Sequence, residues 1–186
     1  MRAFFCIPID ETIRREIAAV AGTLREGTAT RAVWVPPDNY HITLRFLGEI
    51  DPMLTVELER IAREIAEKMG AFPFTIDRLG AFPTVERPRV IWVGGTATPE
   101  FTALSSTLDR SLERLGFPRK REERVVHITI ARTKGMADPG LIEGIRSTGI
   151  PPNRISVERM ILMESRLTPR GAVYSPLFSI PLTEDG

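Results

Sequence analysis

The chain has 186 residues, 42% apolar and 26% charged, with a formal net charge of +1. This describes one compact soluble domain or two small lobes sharing a core, and it excludes bulk electrostatic attraction as the main tie to nucleic acid, so an anionic substrate must be held by a local patch. A single cysteine, Cys6, excludes an internal disulfide or a thiolate metal cluster. The opening apolar run, ended by Asp10, is too brief for a secretory core or a membrane span, so a cytoplasmic protein is expected.

In chain order, "RAFFCIPI" reads as a strand, apolar and closed by Pro8. Ile13, Ile17, Val20, Ala21 and Leu24 follow at helical spacing. "AVWVPPDN" returns through a proline turn to a strand holding His41. Leu54, Leu58, Ile61, Ile65 and Met69 predict a second helix, with Asp51-Pro52 as its cap and first-turn proline. "FPFTIDRLGAF" and "RVIWVGG" predict paired strands. The order then repeats: a helix through Leu104, Leu108, Leu112 and Leu115 ended by Gly116 and Pro118, a basic loop, and a strand holding His127. After it come a helix opened by Asp138-Pro139 and the closing strands "RISVERMILMES" and "AVYSPLFSIPL". Internal duplication within one domain spanning 1–186 is the simplest account. Alternating strands and helices also suit a parallel doubly wound sheet, but short two-faced strands favour mostly antiparallel sheets. The expectation is an α+β fold of two pseudo-symmetric lobes, helices outside, around a central cleft.

The two histidines are the only ones in the chain, and both occupy the same frame, His-Ile-Thr-apolar, at 41–44 and 127–130. Threonine fills 17 of 186 positions, so both matches arise by chance in about 0.8% of such chains, and the apolar flanks lower this further. On a strand, side chains alternate. His41, Thr43 and Arg45 therefore share one face and Ile42, Leu44 and Phe46 the other; His127 and Thr129 face away from Ile128 and Ile130. One such frame alone is usually a half-exposed polar face. Two related by a pseudo-twofold would bring two imidazoles and two hydroxyls around one point. Imidazole titrates near neutrality, so one ring can act as base while the other acts as acid. Displacement at phosphorus runs roughly in line, which asks for one such group on each side, and the hydroxyls can hold the non-bridging oxygens.

These residues also make the chain recognisable. The blocks "RAFFCIPID", "WVPPDNYHITLRFLGEI", "LGAFPTVERPRVIWVG", "HITIART" and "LMESRLTPRGAVYSPL" cover nearly its whole length. With them it resembles the 2H phosphoesterase superfamily, and within it the bacterial and archaeal RNA 2′,3′-cyclic phosphodiesterases, also called 2′-5′ RNA ligases. The resemblance implies a bilobal α+β fold with no metal or other cofactor. It implies opening of a 2′,3′-cyclic phosphate at an RNA end to a 2′-phosphate, with His41 donating a proton to the departing 3′-oxygen and His127 activating water. The frames themselves are too alike to assign these roles. Thr43 and Thr129 carry over as phosphate contacts, and reversal would give a 2′-5′ linkage. Two alternatives stay open: a cyclic phosphodiesterase of small nucleotides or ADP-ribose cyclic phosphates, and a non-catalytic RNA-end binding module. A monomer is expected.

Arg45 and Arg132 could add charge-assisted phosphate contacts. Alternation sets Arg45 on the histidine face and Arg132 on the other, unless a bulge re-aims it. Arg119, Lys120, Arg121 and Arg124 form a basic loop that could track an RNA backbone, interrupted by Glu122 and Glu123. Tyr40, Phe46, Trp34 and Trp92 could stack on a base, but core packing is the expectation for all four. For metal binding, a catalytic zinc usually takes three protein ligands, and Asp51 and Asp138 each sit where helix capping explains them. "WVGGTAT" has no following Gly-Lys-Ser/Thr, so a nucleoside-triphosphate loop finds no support.

Overall fold

The computed structural model describes residues 1–119, 125–169 and 171–183; Lys120, Arg121 and Arg124 of the expected basic loop lie outside them. Strand β1 (Arg2–Pro8) is buried from Ala3 to Ile7. Helix α1 (Glu11–Glu26) buries Ile13, Ile17, Ala21 and Leu24 of the predicted stripe and leaves Val20 half-buried, and Asp10 caps it by accepting from the Ile13 N–H at 3.0 Å. After β2 (Ala32–Trp34), a 3₁₀ turn over Pro37–Asn39 delivers the chain into β3 (His41–Glu49).

Asp51 caps a 3₁₀ turn, Pro52–Leu54, from which α2 (Thr55–Ala66) continues. Next come β4 (Phe72–Ile76), β5 (Arg78–Pro83) and β6 (Pro88–Gly95). Helix α3 (Pro99–Glu113) stops where Gly116 adopts φ 86° and the Phe117 N–H returns to the Leu112 carbonyl, a left-handed ending that suits glycine. Then follow β7 (Val126–Thr133), α4 (Pro139–Ser147), β8 (Asn153–Val157), β9 (Arg159–Thr168) and β10 (Gly171–Pro181).

The described strands form one eight-stranded sheet in the order β10-β9-β1-β3-β7-β6-β5, with β2 on β7, and a two-stranded β4-β8 sheet; every strand pairing is antiparallel. Two lobes meet in the large sheet at a single registered pair, Ile42 opposite Ile128, both fully or almost fully buried.

The lobes are not the two sequence halves. With β1–β5 taken as the first half and β6–β10 as the second, the closing strands cross over: β5 pairs with β6, and β9, with β10 beside it, pairs with β1. The first helix of each half crosses as well, α1 packing on β7 and α3 on β3. One lobe is therefore β1, β3, β9 and β10 with α2 and α3. The other is β2, β5, β6 and β7 with α1 and α4. This exchange interlocks the halves, since neither can bury its apolar strand faces alone.

Candidate active site

Antiparallel register about the Ile42–Ile128 pair sets His41 across from Thr129 and Thr43 across from His127. A local twofold through that pair relates the two frames. Directly opposed side chains on such a ladder stand about 4.5–5.5 Å apart at Cβ, and diagonal ones about 7–8 Å. The imidazoles are the diagonal pair, close enough that the His127 charge acts on His41.

Each ring is held the same way. The His41 Nδ1 lies 2.7 Å from the Asn39 carbonyl oxygen, and the His127 Nδ1 lies 2.8 Å from that of Val125. A carbonyl only accepts, so in both neutral rings Nδ1 carries the hydrogen and Nε2 is the basic nitrogen. The His41 Nε2 is 3.1 Å from the Thr43 hydroxyl. Opposite His127, Gly94 leaves β6 room to close: a Cβ there would come 2.2 Å from the Val126 carbonyl oxygen.

Their surroundings differ. His41 is packed by Phe4 at 4.8 Å and edge-on by Tyr174 at 5.3 Å, whereas His127 meets Phe82 at 5.1 Å and Trp92 at 6.2 Å. Burial pushes the pKa of His41 below the ordinary imidazole value, with smaller pushes from the positive fields of His127 and Arg132; its Asn39 hydrogen bond opposes them. A cleft of about 510 Å³ opens beside the pair, reached by His41, Thr43, Thr129 and Arg132. His127 is not part of that lining, so the room lies on the His41 side. Among the described residues, no three His, Cys, Asp or Glu side chains gather as a metal site would require.

The arginines trade places relative to the alternation. In β3 the register steps from Cys6–Thr43 to Phe5–Arg45, leaving Leu44 as a bulge; in β7 it steps from Trp92–Thr129 to Ile91–Ala131, leaving Ile130 as one. Both bulges fall on the fourth residue of the frame, and each turns the following side chains over. Arg45 thereby goes inside, 7% exposed, bound to the Pro118 carbonyl and paired with Asp109 at 3.6 Å. The expectation that it shares the histidine face is corrected. Arg132 swings out to the cleft. The same turn corrects Phe46, expected in the core but 44% exposed on the cleft wall, and Trp34, half-buried, joins it there. Tyr40 and Trp92 are buried as expected. Asn39, Phe4 and Tyr174 were not singled out from sequence. The last two touch His41 only because β1 and β10 are brought beside it, and no local pattern marks that.

Comparison with known proteins agrees. The model of LigT-like phosphoesterases matches residues 7–92 and again 95–174, one histidine frame in each. The RNA 2′,3′-cyclic phosphodiesterase of Aeropyrum pernix is 34% identical over 160 residues, covering 82% of this chain and 87% of that protein. Its namesake from Thermotoga maritima is 33% identical over 183 residues, covering 96% and 94%. A crystal structure from Thermus thermophilus aligns over 100% of both chains with TM-score 0.84 and 26% identity. E. coli LigT complexed with 3′-AMP aligns over 98% of both, with TM-score 0.77 and 26% identity. With two consecutive matches spanning most of its length, the chain belongs to the LigT-like phosphoesterase family.

Proposed function

We propose that this protein hydrolyses the 2′,3′-cyclic phosphate at an RNA end to a 2′-phosphomonoester, with His41 and His127 as its paired acid and base. The observation that carries this reading is the matched clamping of the two rings. Both donate through Nδ1 to a carbonyl two residues upstream, which makes Nε2 the basic nitrogen of each ring. The names of the relatives support the substrate. The same reading takes the chain as one bilobal domain of duplicated halves.

In the proposed reaction His127 takes a proton from water, whose oxygen bonds to phosphorus as the bond to the 3′-oxygen breaks. His41 gives its proton to that oxygen. Thr43 and Thr129, with Arg132 beyond the bulge, would hold the non-bridging oxygens as charge gathers on them. His41 binds its proton weakly in the free protein. An arriving phosphodiester anion strengthens that hold, so the substrate brings its own acid into the charged form. The family analogy chooses which ring is acid; the matched clamps do not. With a 5′-hydroxyl in place of water, the same steps form a 2′-5′ linkage.

The test is an oligoribonucleotide ending in 2′,3′-cyclic phosphate, incubated with protein and a chelator. Expected are a 2′-monophosphate product, a bell-shaped pH–rate profile, and loss of activity in His41→Ala and His127→Ala. Near wild-type turnover in either variant overturns the acid–base pair. A cyclic phosphate bound but recovered intact would instead identify a binding module.

A further inference from the structure

The cleft wall leading away from His41 is a row of stacked groups. From the His41 ring it is 4.8 Å to Phe4, from Phe4 6.4 Å to Phe46 at a 19° interplanar angle, and from Phe46 4.7 Å to the guanidinium carbon of Arg2. The Arg2 guanidinium lies over an exposed aromatic ring, a cation–π arrangement that holds a charge without neutralising it. Its charge also reaches Tyr174, and no ion pair to Arg2 is seen among the described residues. Among the described residues lining this cleft, two are arginines, Arg2 and Arg132, and none is Asp or Glu. Arg132 follows the frame of Thr129 and belongs to the reacting phosphate. On β1, Arg2 pairs with Glu49 while Pro8 pairs with His41, so Arg2 lies farther along the wall, past two aromatic rings.

We infer that Arg2, seated on Phe46, is a second phosphate subsite that binds the 5′-phosphate of the terminal nucleotide, the one linking it to the rest of the RNA chain. This deepens the proposed function and rests on it, because it selects a polynucleotide end over a mononucleoside cyclic phosphate. The cleft runs on the His41 side, where the departing 3′-oxygen and hence the terminal nucleoside would lie; the wall beyond Phe4 is where that nucleoside's 5′ side continues. Phe46 is available because the Leu44 bulge turns it outward. A guanidinium on an aromatic ring is pre-oriented, so little side-chain freedom is lost on meeting phosphate.

The experiment compares kcat/KM for cytidine 2′,3′-cyclic phosphate, the same compound carrying a 5′-phosphate, and a dinucleotide with the same cyclic end. The wild type is expected to favour the 5′-phosphorylated substrates by at least about tenfold, the worth of one charge-assisted contact, with the preference shrinking as salt is raised. Arg2→Gln is expected to erase that preference while leaving turnover of the unphosphorylated compound unchanged. Phe46→Leu, which keeps an apolar side chain but removes the ring, reduces it, and Arg2→Lys retains part of it. Equal rates for all three substrates in the wild type overturn the subsite, as does an Arg2→Gln variant that loses activity on all of them alike. If the wild type opens none of the cyclic phosphates, the proposed function fails and the subsite with it.

Discussion

The two histidine frames are nearly identical as sequence and different as environments. In both, Nδ1 is clamped by the carbonyl two residues upstream and a bulge falls on the fourth residue. What lies past each bulge diverges. On β3 the chain sends Arg45 inward and Phe46 to the cleft; on β7 it sends Ala131 inward and Arg132 to the cleft. The two histidine strands thus present an aromatic platform on one side of their local twofold and a cation on the other. In the proposed reaction such symmetry would supply a pair of equivalent proton carriers, and the side chains beyond the bulges would break it.

The comparison breaks most visibly at the imidazoles. His41→Ala and His127→Ala are each expected to lower kcat by about 10²–10⁴-fold, measured by product formation from a 2′,3′-cyclic end. On the proposed pairing of the rings, the double variant should lose little more than either single one. Independent, multiplying losses would mean the rings do not share one phosphorus.

The arginines sharpen the difference next. Arg132→Ala is expected to lower kcat/KM by about 10–100-fold, the range of a charge-assisted contact, with little change in melting temperature. Arg45→Ala should do the reverse. Removing one member of a buried ion pair costs about 3–5 kcal/mol, and denaturant unfolding reads this directly. Equal stability of the two variants would contradict the inward turn of Arg45.

A pH experiment separates the rings by environment. Burial, helped by the positive charges of His127 and Arg132, holds His41 below the ordinary imidazole pKa of 6.5, so its NMR titration should fall on the acid side of that value. Arg132→Ala should move it upward, and so should a bound 2′-phosphate. The folded state disfavours the protonated ring. This group therefore costs nothing above the unfolded pKa and destabilises as pH falls from about 6.5 through the folded value. A Tm from this group that rose on acidification would contradict it.

The smallest contrast lies at the two Asp-Pro pairs. Asp51 accepts one N–H, from Met53, on an exposed turn. Asp138 accepts from the hydroxyls of Thr28 and Thr30 as well as from the Leu141 N–H, which holds its carboxyl well below the usual range and ties α4 to the segment after α1. Asp138→Ala should cost about 1–2 kcal/mol and Asp51→Ala about 0.5, or a few degrees of Tm against about one or two.

Local periodicity alone was enough for the helices α1, α3 and α4 and for the strands that carry the histidines, because apolar spacing reports which face each element must bury. The two His-Ile-Thr frames were legible for the same reason: alternation puts histidine and threonine on one face, across the single residue that separates them. Beyond the fourth residue alternation failed at Arg45, Phe46 and Arg132 alike. A bulge is set by how the strand must bend to pair with β1 or β6, and nothing within Leu44 or Ile130 announces it. The crossing of α1, α3, β5 and β9 between lobes was likewise decided only when distant strands competed for the same sheet edges. So were the contacts of Phe4 and Tyr174 with His41, which join residues near opposite ends of the chain. The sequence alone determined which chemical groups are present and which of them come in matched pairs. The tertiary structure decided which face each arginine and aromatic serves, because that depends on long-range strand pairing and not on the residues themselves.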